Sequence, residues 1–185
     1  LWIRTPSAAI GVLIDDKWFC FVIEQLLSNA LKYTRTGTIS IFFSQPNVLC
    51  IKDTGIGIAP QDLPRIFEKG YTGCNGRTDK KASGLGLYLC KRICKNLGIG
   101  ISITSEIGDG TCVYLSLDQY PLKAEKAKIF ISYTTVSFRA ENVSQFNGNA
   151  FSVLLLTILE VNGLKKIYST RFGGNKVEAL KNVNF

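Results

Sequence analysis

The stretch DTGIGIAP, from Asp53 to Pro60, places one carboxylate and two glycines at the end of a short apolar run, Val48 to Ile51. A carboxylate in this position can accept a hydrogen bond from an exocyclic amine such as that of adenine. Gly55 and Gly57 have no Cβ, so the backbone there can approach a flat ring closely. By itself the stretch is also compatible with an ordinary glycine turn, so other elements must decide between the two interpretations.

Asn29 is the second residue that could do chemistry, in the segment EQLLSNALKYT from Glu24 to Thr34. It lies among apolar neighbours, where an amide requires hydrogen-bond partners. It is either a buried structural amide or an oxygen ligand for Mg²⁺, a cation that binds few protein oxygens together with phosphate oxygens. Lys32 and Tyr33 follow on the same helical face and add a cation for phosphate and a ring for a base or a ribose.

A glycine-rich loop leads directly into a predicted helix at SGLGL, Ser83 to Leu87. Backbone N–H groups at the start of a helix form a site suited to phosphates. A single GxG pattern is weak evidence, as is a lone glycine turn. The three elements together, in this order and spacing, indicate a nucleotide site.

The spacing of apolar residues predicts the elements that carry these groups. Apolar positions recur every three or four residues from Asp16 to Lys32, which predicts an amphipathic helix capped by Asp15 or Asp16. The order of elements indicates an α+β fold, a two-layer α/β sandwich with one mixed, mainly antiparallel sheet. The other predicted elements are strands Thr38–Phe43 and Val48–Asp53, a short helix Asp62–Lys69, a helix from Leu85 to about Leu97, and strands Ile99–Ser105 and Thr111–Leu117.

The composition is that of a globular protein, with 46% apolar and 19% charged residues. Residues 1–118 carry 13 basic against 10 acidic residues and residues 119–185 carry 9 against 4, so most of the net charge of +8 lies in the second part. This distribution gives no support to a nucleic-acid partner. The apolar run Phe151 to Leu159 is too short to span a membrane. The six cysteines are predicted to be reduced thiols in the cytoplasm.

Four motifs together resemble the nucleotide-binding boxes of the sensor histidine kinases. EQLLSNALKYT is similar to the N box and DTGIGI to the G1 box, while IFEKGYTG (Ile66–Gly73) and GLGLYL (Gly84–Leu89) are similar to the F and G2 boxes. The resemblance covers about residues 8–118 and implies the Bergerat ATP-binding fold of the GHKL superfamily, which includes gyrase, Hsp90 and MutL. IFEKGYTG followed by GRTDKKASGLGLYLCKRIC is most similar to the intramembrane-sensing kinases that accompany bacitracin-type ABC transporters in Gram-positive bacteria.

The resemblance implies a role for each box. Asn29 would hold Mg²⁺ and Lys32 a phosphate, Tyr33 would face the nucleoside, and Asp53 would bind the adenine amine. The segment Gly70–Gly84 would form an ATP lid. Gly55 and Gly57 would shape the purine pocket, and Thr111 would support adenine through a water. Asn29 and Arg65 would be the catalytic residues. The ATP-binding residues implied in this way are Asn29, Lys32, Tyr33, Asp53, Gly55, Gly57, Ile58, Lys69, Gly70, Tyr71, Thr72, Gly73, Ser83, Gly84, Leu85, Gly86, Leu87 and Thr111.

Gln25 separates this chain from the ATP hydrolases of the superfamily, in which a glutamate one helical turn before the N-box asparagine positions the attacking water. Gln25 occupies that place, four residues before Asn29, and Glu24 lies on the adjacent face. An amide cannot act as a general base, so transfer of the γ-phosphate to a protein side chain is favoured over hydrolysis. Such transfer requires positioning and charge neutralisation, for which the candidate cations are Arg65, Lys69, Arg77, Lys80 and Lys81.

The chain has no histidine, so it cannot phosphorylate a histidine of its own. Ser-His-Asp and Cys-His catalysis are excluded within the chain for the same reason. The resemblance implies an acceptor His on a separate dimerisation domain and a response regulator as the downstream partner. It also implies a parent kinase anchored in the bacterial inner membrane, with this domain in the cytoplasm. The alternatives are a serine kinase of the anti-sigma-factor type, which has the same fold, and a non-catalytic nucleotide-binding fragment.

Four regions are predicted: an incomplete N-terminal segment (1–11), the ATP-binding domain (12–118), an unassigned linker or read-through segment (119–157), and residues 158–185, which resemble the first strands of an ABC transporter ATPase. Tyr168 would match its adenine-stacking aromatic, but no GxxxxGK[ST] loop follows. Because the chain also lacks methionine, this order suggests translation across a gene boundary, with an ABC transporter as a further partner. The alternative is a fused interaction tail whose strands pair with the kinase sheet or another chain.

Overall fold

The structure, a computed structural model, describes residues 2–3, 9–12, 15–45, 47–73, 83–117, 129–132, 136–140 and 159–160. In the described part of the chain, no helix combines the length and the apolar character that a bilayer span requires. The elements are β1 (Trp2–Ile3), β2 (Ala9–Val12), α1 (Asp16–Tyr33), β3 (Thr38–Gln45), β4 (Val48–Asp53), a 3₁₀ turn (Leu63–Arg65), α2 (Gly86–Asn96), β5 (Gly100–Glu106), β6 (Gly110–Ser116), β7 (Ile129–Ser132), β8 (Val136–Arg139) and β9 (Leu159–Glu160).

Helix α1 begins where the side chain of Asp15 caps it. The Asp15 carboxylate accepts hydrogen bonds from the backbone N–H groups of Lys17, at 3.0 Å, and Trp18, at 3.3 Å, and so satisfies donors that have no partner within the helix. Of the two predicted caps, Asp15 is therefore the one that acts. The helix continues to Tyr33, one residue beyond the predicted end. The residues of its apolar stripe that are fully buried are Phe19, Val22, Ile23 and Leu27.

The four strands of the predicted hairpins are neighbours in one six-stranded antiparallel sheet, in the order β3–β4–β6–β5, with β5 at its edge. The register pairs Asp53, the last residue of β4, with Ile39 on β3 and Thr111 on β6. In a sheet with one buried face, a shift by one residue would turn every side chain to the other face, so the apolar pattern fixes the register. This register places Asp53 on the face that carries Ile51, which is the face that the helices cover.

Helices α1 and α2 pack together on this face and form the second layer of the fold. Each fully buried aliphatic side chain stabilises the folded state by about 1.5–3 kcal/mol. Cys90 and Cys94 of α2 belong to the same core, where burial raises the pKa of the first thiol to about 12 and that of the second to about 11. The buried strand residues of this core are Ile39, Ile41, Leu49, Ile51, Val113 and Leu115.

The predicted helix Asp62–Lys69 is wrong in extent, because only Leu63–Arg65 forms a helical turn, of the 3₁₀ type. Pro64 lies in this turn and has no N–H to donate to an α-helical ladder. Between residues 62 and 71 several backbone N–H groups donate to the carbonyl three residues earlier, which is the spacing of consecutive 3₁₀ turns. Gly70, at φ +78°, then ends the stretch in the left-handed region.

Strands β7 and β8 lie within residues 119–157, where the sequence assigns no element. Strand β8 pairs with the edge of β3 that lies opposite β4, and the hydroxyl oxygens of Ser137 and Ser40 are 2.8 Å apart. Strand β7 pairs with β2 and β9 in a separate three-stranded sheet. The division into four regions and the two explanations of the tail remain predictions, and Tyr168 lies outside the described residues.

Candidate nucleotide site

A cavity of about 310 Å³ opens between α1, the end of β4 and the start of α2. Its wall brings together most of the residues that the sequence predicts for the nucleotide site. These are Asn29, Lys32, Tyr33, Asp53, Gly57, Ile58, Tyr71, Thr72, Gly73, Ser83, Gly84, Gly86, Leu87 and Thr111. Of the predicted residues that the structure describes, those outside the wall are Gly55, Arg65, Lys69, Gly70 and Leu85.

Asp53 is the buried carboxylate at the end of β4, with 7% of its surface exposed. Its Oδ1 accepts a hydrogen bond from the backbone N–H of Gly55 at 2.8 Å and from the hydroxyl of Thr34 at 3.4 Å. Burial raises the pKa of this carboxyl above its ordinary value, and the hydrogen bonds from Gly55, Thr111 and Thr34 oppose the rise. Since a carboxylate has about four acceptor sites, this held group can also accept from a ligand in the cavity.

Gly55 and Gly57 lie directly against other parts of the backbone. A Cβ on Gly57, whose φ is +71°, would collide with the carbonyl oxygen of Glu106, the last residue of β5. A Cβ on Gly55 would collide with the carbonyl oxygen of Tyr33. Close packing of the chain on itself therefore requires both glycines. Their role in making room for a purine ring stays a prediction.

Thr111 belongs to a hydroxyl network that joins the DTGIG turn to the hairpin of β5 and β6. Its Oγ1 lies 2.9 Å from Ser105 Oγ. The Ser105 hydroxyl also accepts from the backbone N–H of Ile58 at 2.9 Å and donates to the carbonyl oxygen of Gly110 at 2.7 Å. Ser105 belongs to none of the sequence motifs, although the predicted hairpin sets it opposite Thr111, as the structure does.

One face of α1 supplies Asn29, Lys32 and Tyr33 to the cavity wall, as the helical spacing predicts. Asn29 is half-buried, and its amide forms no hydrogen bond within the described part of the chain. The Lys32 ammonium lies 5.0 Å from the centre of the Tyr33 ring, so a cation and an aromatic surface adjoin each other here. This face thus offers an amide oxygen and a positive charge to a ligand.

The start of α2 forms another part of the wall, through Gly86 and Leu87. The first N–H groups of a helix have no partner within it and carry the positive end of the helix dipole, which attracts anions. A Cβ on Gly86 would lie 2.9 Å from Gln25 Nε2, so the Gln25 side chain packs closely against this helix start. Gln25 also lines the cavity, whereas Glu24 is exposed and lies outside the wall.

Arg65 and Lys69 lie on the surface rather than in the wall. The Arg65 guanidinium pairs with Glu68 at 3.1 Å and stacks 4.4 Å from the centre of the Tyr71 ring. In this arrangement the described partners of the Arg65 side chain are Glu68 and Tyr71. The catalytic role of Arg65 stays a prediction. Three other candidate cations, Arg77, Lys80 and Lys81, lie outside the described residues.

The wall also contains residues that sequence analysis did not assign to it. Ile51, Ile103 and Val113 face the cavity from three neighbouring strands. Each stands two residues from Asp53, Ser105 or Thr111, so the alternation of side chains along a strand is the signal that could have identified them. Asp62 lies in the irregular stretch after β4 and has no such signal. The full set of additional residues is Gln25, Leu26, Ser28, Ala30, Ile51, Asp62, Ile66, Ile103 and Val113.

Comparison with known proteins gives a family for these elements. The model of the family described as "Histidine kinase-, DNA gyrase B-, and HSP90-like ATPase" matches residues 14–121. The chain is similar to the sensor protein kinase GraS of Staphylococcus aureus (strain MRSA252), with 42% identity over 130 residues, which cover 69% of this chain and 37% of GraS. It is also similar to the sensor protein BceS of Halalkalibacterium halodurans, with 44% identity over 108 residues, covering 57% and 32%. The chain therefore spans about a third of the length of these relatives.

Two solved structures show the same fold. The mycobacterial sensor histidine kinase MprB aligns with a TM-score of 0.50 and 25% identity over 57% of this chain and 75% of that chain. Full-length ShkA in complex with AMPPNP aligns with a TM-score of 0.50 and 25% identity over 61% of this chain and 23% of that chain. These likenesses confirm the predicted α+β fold. The chain belongs to the histidine kinase-, DNA gyrase B- and HSP90-like ATPase family, and all the residues that line its cavity lie within the matched part, 14–121.

Proposed function

We propose that this domain binds Mg-ATP in the cavity beside Asp53 and donates the γ-phosphate to a histidine on a separate dimerisation domain. One observation supports the proposal best. A buried carboxylate, the amide of Asn29 and the first residues of α2 line the same cavity. These are the groups that an adenine amine, a magnesium ion and a phosphate would each require.

Asp53 would bind the adenine. Its carboxylate is held by Gly55 and Thr34 and is almost excluded from solvent, so a hydrogen bond from the adenine amine would meet little competition from water. The inward-facing aliphatic side chains Ile51, Ile103 and Val113 offer an apolar surface to a flat ring. Tyr33 would face the nucleoside, and Thr111 would reach the adenine through a water.

Lys32, Asn29 and the start of α2 would hold the triphosphate. The backbone N–H groups of α2 suit phosphate oxygens, and Lys32 adds a positive charge. Asn29 fits a magnesium site, because Mg²⁺ commonly uses one or two protein oxygens together with phosphate oxygens and water. The described residues contain no cluster of three or more His, Cys, Asp or Glu that would hold a metal by itself. When bound, Mg²⁺ would neutralise charge on the phosphate oxygens.

Gln25 favours phosphoryl transfer over hydrolysis. It lines the cavity and packs against Gly86, at the helix start that would bind phosphates. Its amide cannot take a proton from water, and the carboxylate of Glu24 lies outside the wall. We therefore expect bound ATP to persist until an acceptor side chain approaches.

The partners of this domain follow from the same proposal. The chain has no histidine, so the acceptor must lie on another domain or chain. The relatives are named as sensor kinases, which supports a response regulator as the final acceptor of the phosphate. We propose a cytoplasmic site of action, on a parent protein anchored in the inner membrane. An ABC transporter as a further partner remains a proposal from the sequence of residues 158–185.

Transfer in trans tests the proposed function. The full chain is incubated with a purified His-bearing dimerisation domain of a related sensor kinase and γ-labelled Mg-ATP, and phosphohistidine is measured. Asn29→Ala is expected to slow transfer about 100-fold or more, the range found when one stabilising polar group is removed from an active site. Asn96→Ala removes an exposed asparagine at the end of α2 and is expected to transfer at the wild-type rate.

Two outcomes of this experiment would contradict the proposal. Label found only on a serine of an added protein substrate would identify a serine kinase of the same fold. Bound ATP with no transfer to any added protein would identify a nucleotide-binding module that is not a phosphate donor.

A further inference from the structure

We propose that Asp62 is a positioning residue for the nucleotide site, and that through Tyr71 it holds the start of the glycine-rich segment 70–84 against the cavity. The inference deepens the proposed function and rests on it, because this segment is the one predicted to cover bound ATP. Asp62 belongs to none of the motifs that the sequence indicates. Its placement in the structure is what gives it this role.

Both carboxylate oxygens of Asp62 face the first residues of the segment. Asp62 lies in the cavity wall with 7% of its surface exposed. The Tyr71 hydroxyl donates a hydrogen bond to its Oδ1 at 2.6 Å, a length typical of a hydroxyl bound to a charged acceptor. A Cβ on Gly73, whose φ is +62°, would lie 3.1 Å from Oδ2. One nearly buried side chain therefore bonds Tyr71 and lies beside Gly73.

Tyr71 is also held by the 3₁₀ stretch that precedes it. The Arg65 guanidinium lies 4.4 Å from the centre of the Tyr71 ring, and the Tyr71 backbone N–H donates to the carbonyl oxygen of Glu68 at 3.2 Å. The backbone N–H of Arg65 in turn donates to the carbonyl oxygen of Asp62 at 2.9 Å. Asp62 therefore makes contacts at both ends of this stretch. Its carbonyl oxygen accepts from the Arg65 N–H at the start, and its side chain accepts from the Tyr71 hydroxyl at the end. In this structure Arg65 acts on Tyr71 and does not face the cavity.

The two ends of the segment meet beside this contact. The Gly70 N–H donates to the carbonyl oxygen of Gly84 at 3.1 Å, and a Cβ on Gly84 would collide with the backbone of Gly70. Thr72 and Ser83, which follow and precede this junction, both line the cavity. The Asp62–Tyr71 bond therefore joins the base of the segment to the body of the domain at the mouth of the nucleotide site. Loss of the bond would release residues 70–73 from Asp62 without removing any group of the main core.

Tyr71→Phe tests the inference, because it keeps the ring and its contact with Arg65 and removes only the hydroxyl. We expect the full chain to remain folded, with a melting temperature lower by several degrees, and to bind Mg-ATP about 5- to 10-fold more weakly, as the loss of one hydrogen bond predicts. Tyr88→Phe is the matched control. The Tyr88 hydroxyl accepts a hydrogen bond from Arg92 at 3.4 Å on α2, outside the cavity wall, and its loss is expected to leave the affinity unchanged.

Variants of Asp62 identify the partner. Asp62→Ala is expected to weaken binding as much as Tyr71→Phe, and the double variant no more than either single one, because both remove the same bond. Asp62→Asn keeps an oxygen that can accept from Tyr71 and is expected to restore most of the affinity. Hydrogen exchange without nucleotide gives an independent readout: amides 70–73 are expected to exchange faster in Tyr71→Phe than in the wild type or Tyr88→Phe.

Wild-type affinity and wild-type exchange in Tyr71→Phe would overturn the inference, and so would additive losses in the double variant. Failure of the wild type itself to bind Mg-ATP would contradict the proposed function instead. The exchange of amides 70–73 would then still decide whether Asp62 holds the segment, since it is measured without nucleotide.

Discussion

An Asp53→Asn variant is expected to bind Mg-ATP about 100-fold more weakly than the wild type, or not measurably, while remaining folded. The remaining side-chain oxygen can still accept from the Gly55 N–H and the Thr34 hydroxyl, so the local structure is retained. The new amide nitrogen would turn a donor toward the donor group of adenine. A hydrogen bond to a charged group is then lost, and a buried donor is left without a partner, which together cost about 3 kcal/mol. Calorimetric titration of the full chain with Mg-ATP measures the change.

Asp109→Asn is the matched control for this variant. Asp109 is an exposed aspartate in the turn between β5 and β6, so the same chemical change is made outside the cavity wall. It is expected to bind Mg-ATP as the wild type does, and both variants are expected to melt near the wild-type temperature. Tight binding by a folded Asp53→Asn protein would show that this carboxylate does not recognise the nucleotide.

The second large effect is on stability. Gly57→Ala is expected to lower the free energy of unfolding by about 3–5 kcal/mol, in the range that only strain, overpacking or similar disruptions reach. The added Cβ would collide with the carbonyl group of Glu106, and backbone atoms of a paired hairpin cannot rotate away from it as a side chain could. The φ of +71° adds the cost of a left-handed conformation, about 1–2 kcal/mol for a residue with a Cβ. Urea denaturation of the full chain gives the difference.

Gly108→Ala separates the two contributions to that loss. Gly108 has a φ of +84° but no heavy atom within 4 Å of where its Cβ would be. This variant is therefore expected to lose only about 1–2 kcal/mol, the conformational part. Equal losses in the two variants would mean that the contact of Gly57 with Glu106 contributes nothing, and that its conformation alone requires glycine.

The helices and hairpins of the ATP-binding domain were predictable because each buries one continuous apolar face. Strand β4 has the predicted bounds, Val48–Asp53, and α1 differs from its prediction by one residue at its end. An apolar repeat of 3.6 or 2 residues arises directly from packing against a single layer, so it appears in the sequence before any tertiary contact is known. Residues 62–69 contribute no side chain to that main core, and there the helix prediction was wrong in extent.

The residues of the cavity wall were predictable to the extent that they are unusual for their local structure. Asn29 is an amide beside an apolar stripe, and Asp53 is a carboxylate at the end of a buried strand. Asp62 and Ser105 are ordinary residues for a turn and a strand, and only tertiary contacts bring them to the site. The same holds for β8, whose pairing with β3 joins residues about 100 positions apart and has no local signal.

Calorimetric titration of the full chain with Mg-ATP and, separately, with Mg-GTP tests the central claim most directly. Guanine carries a carbonyl oxygen where adenine carries its amine, and this oxygen would face the buried Asp53 carboxylate, acceptor against acceptor. We predict binding of one Mg-ATP per chain and an affinity for Mg-GTP that is lower by about 100-fold or more. Equal affinity for the two nucleotides, or binding of neither, would contradict the assignment of this cavity as an ATP site in which Asp53 recognises adenine.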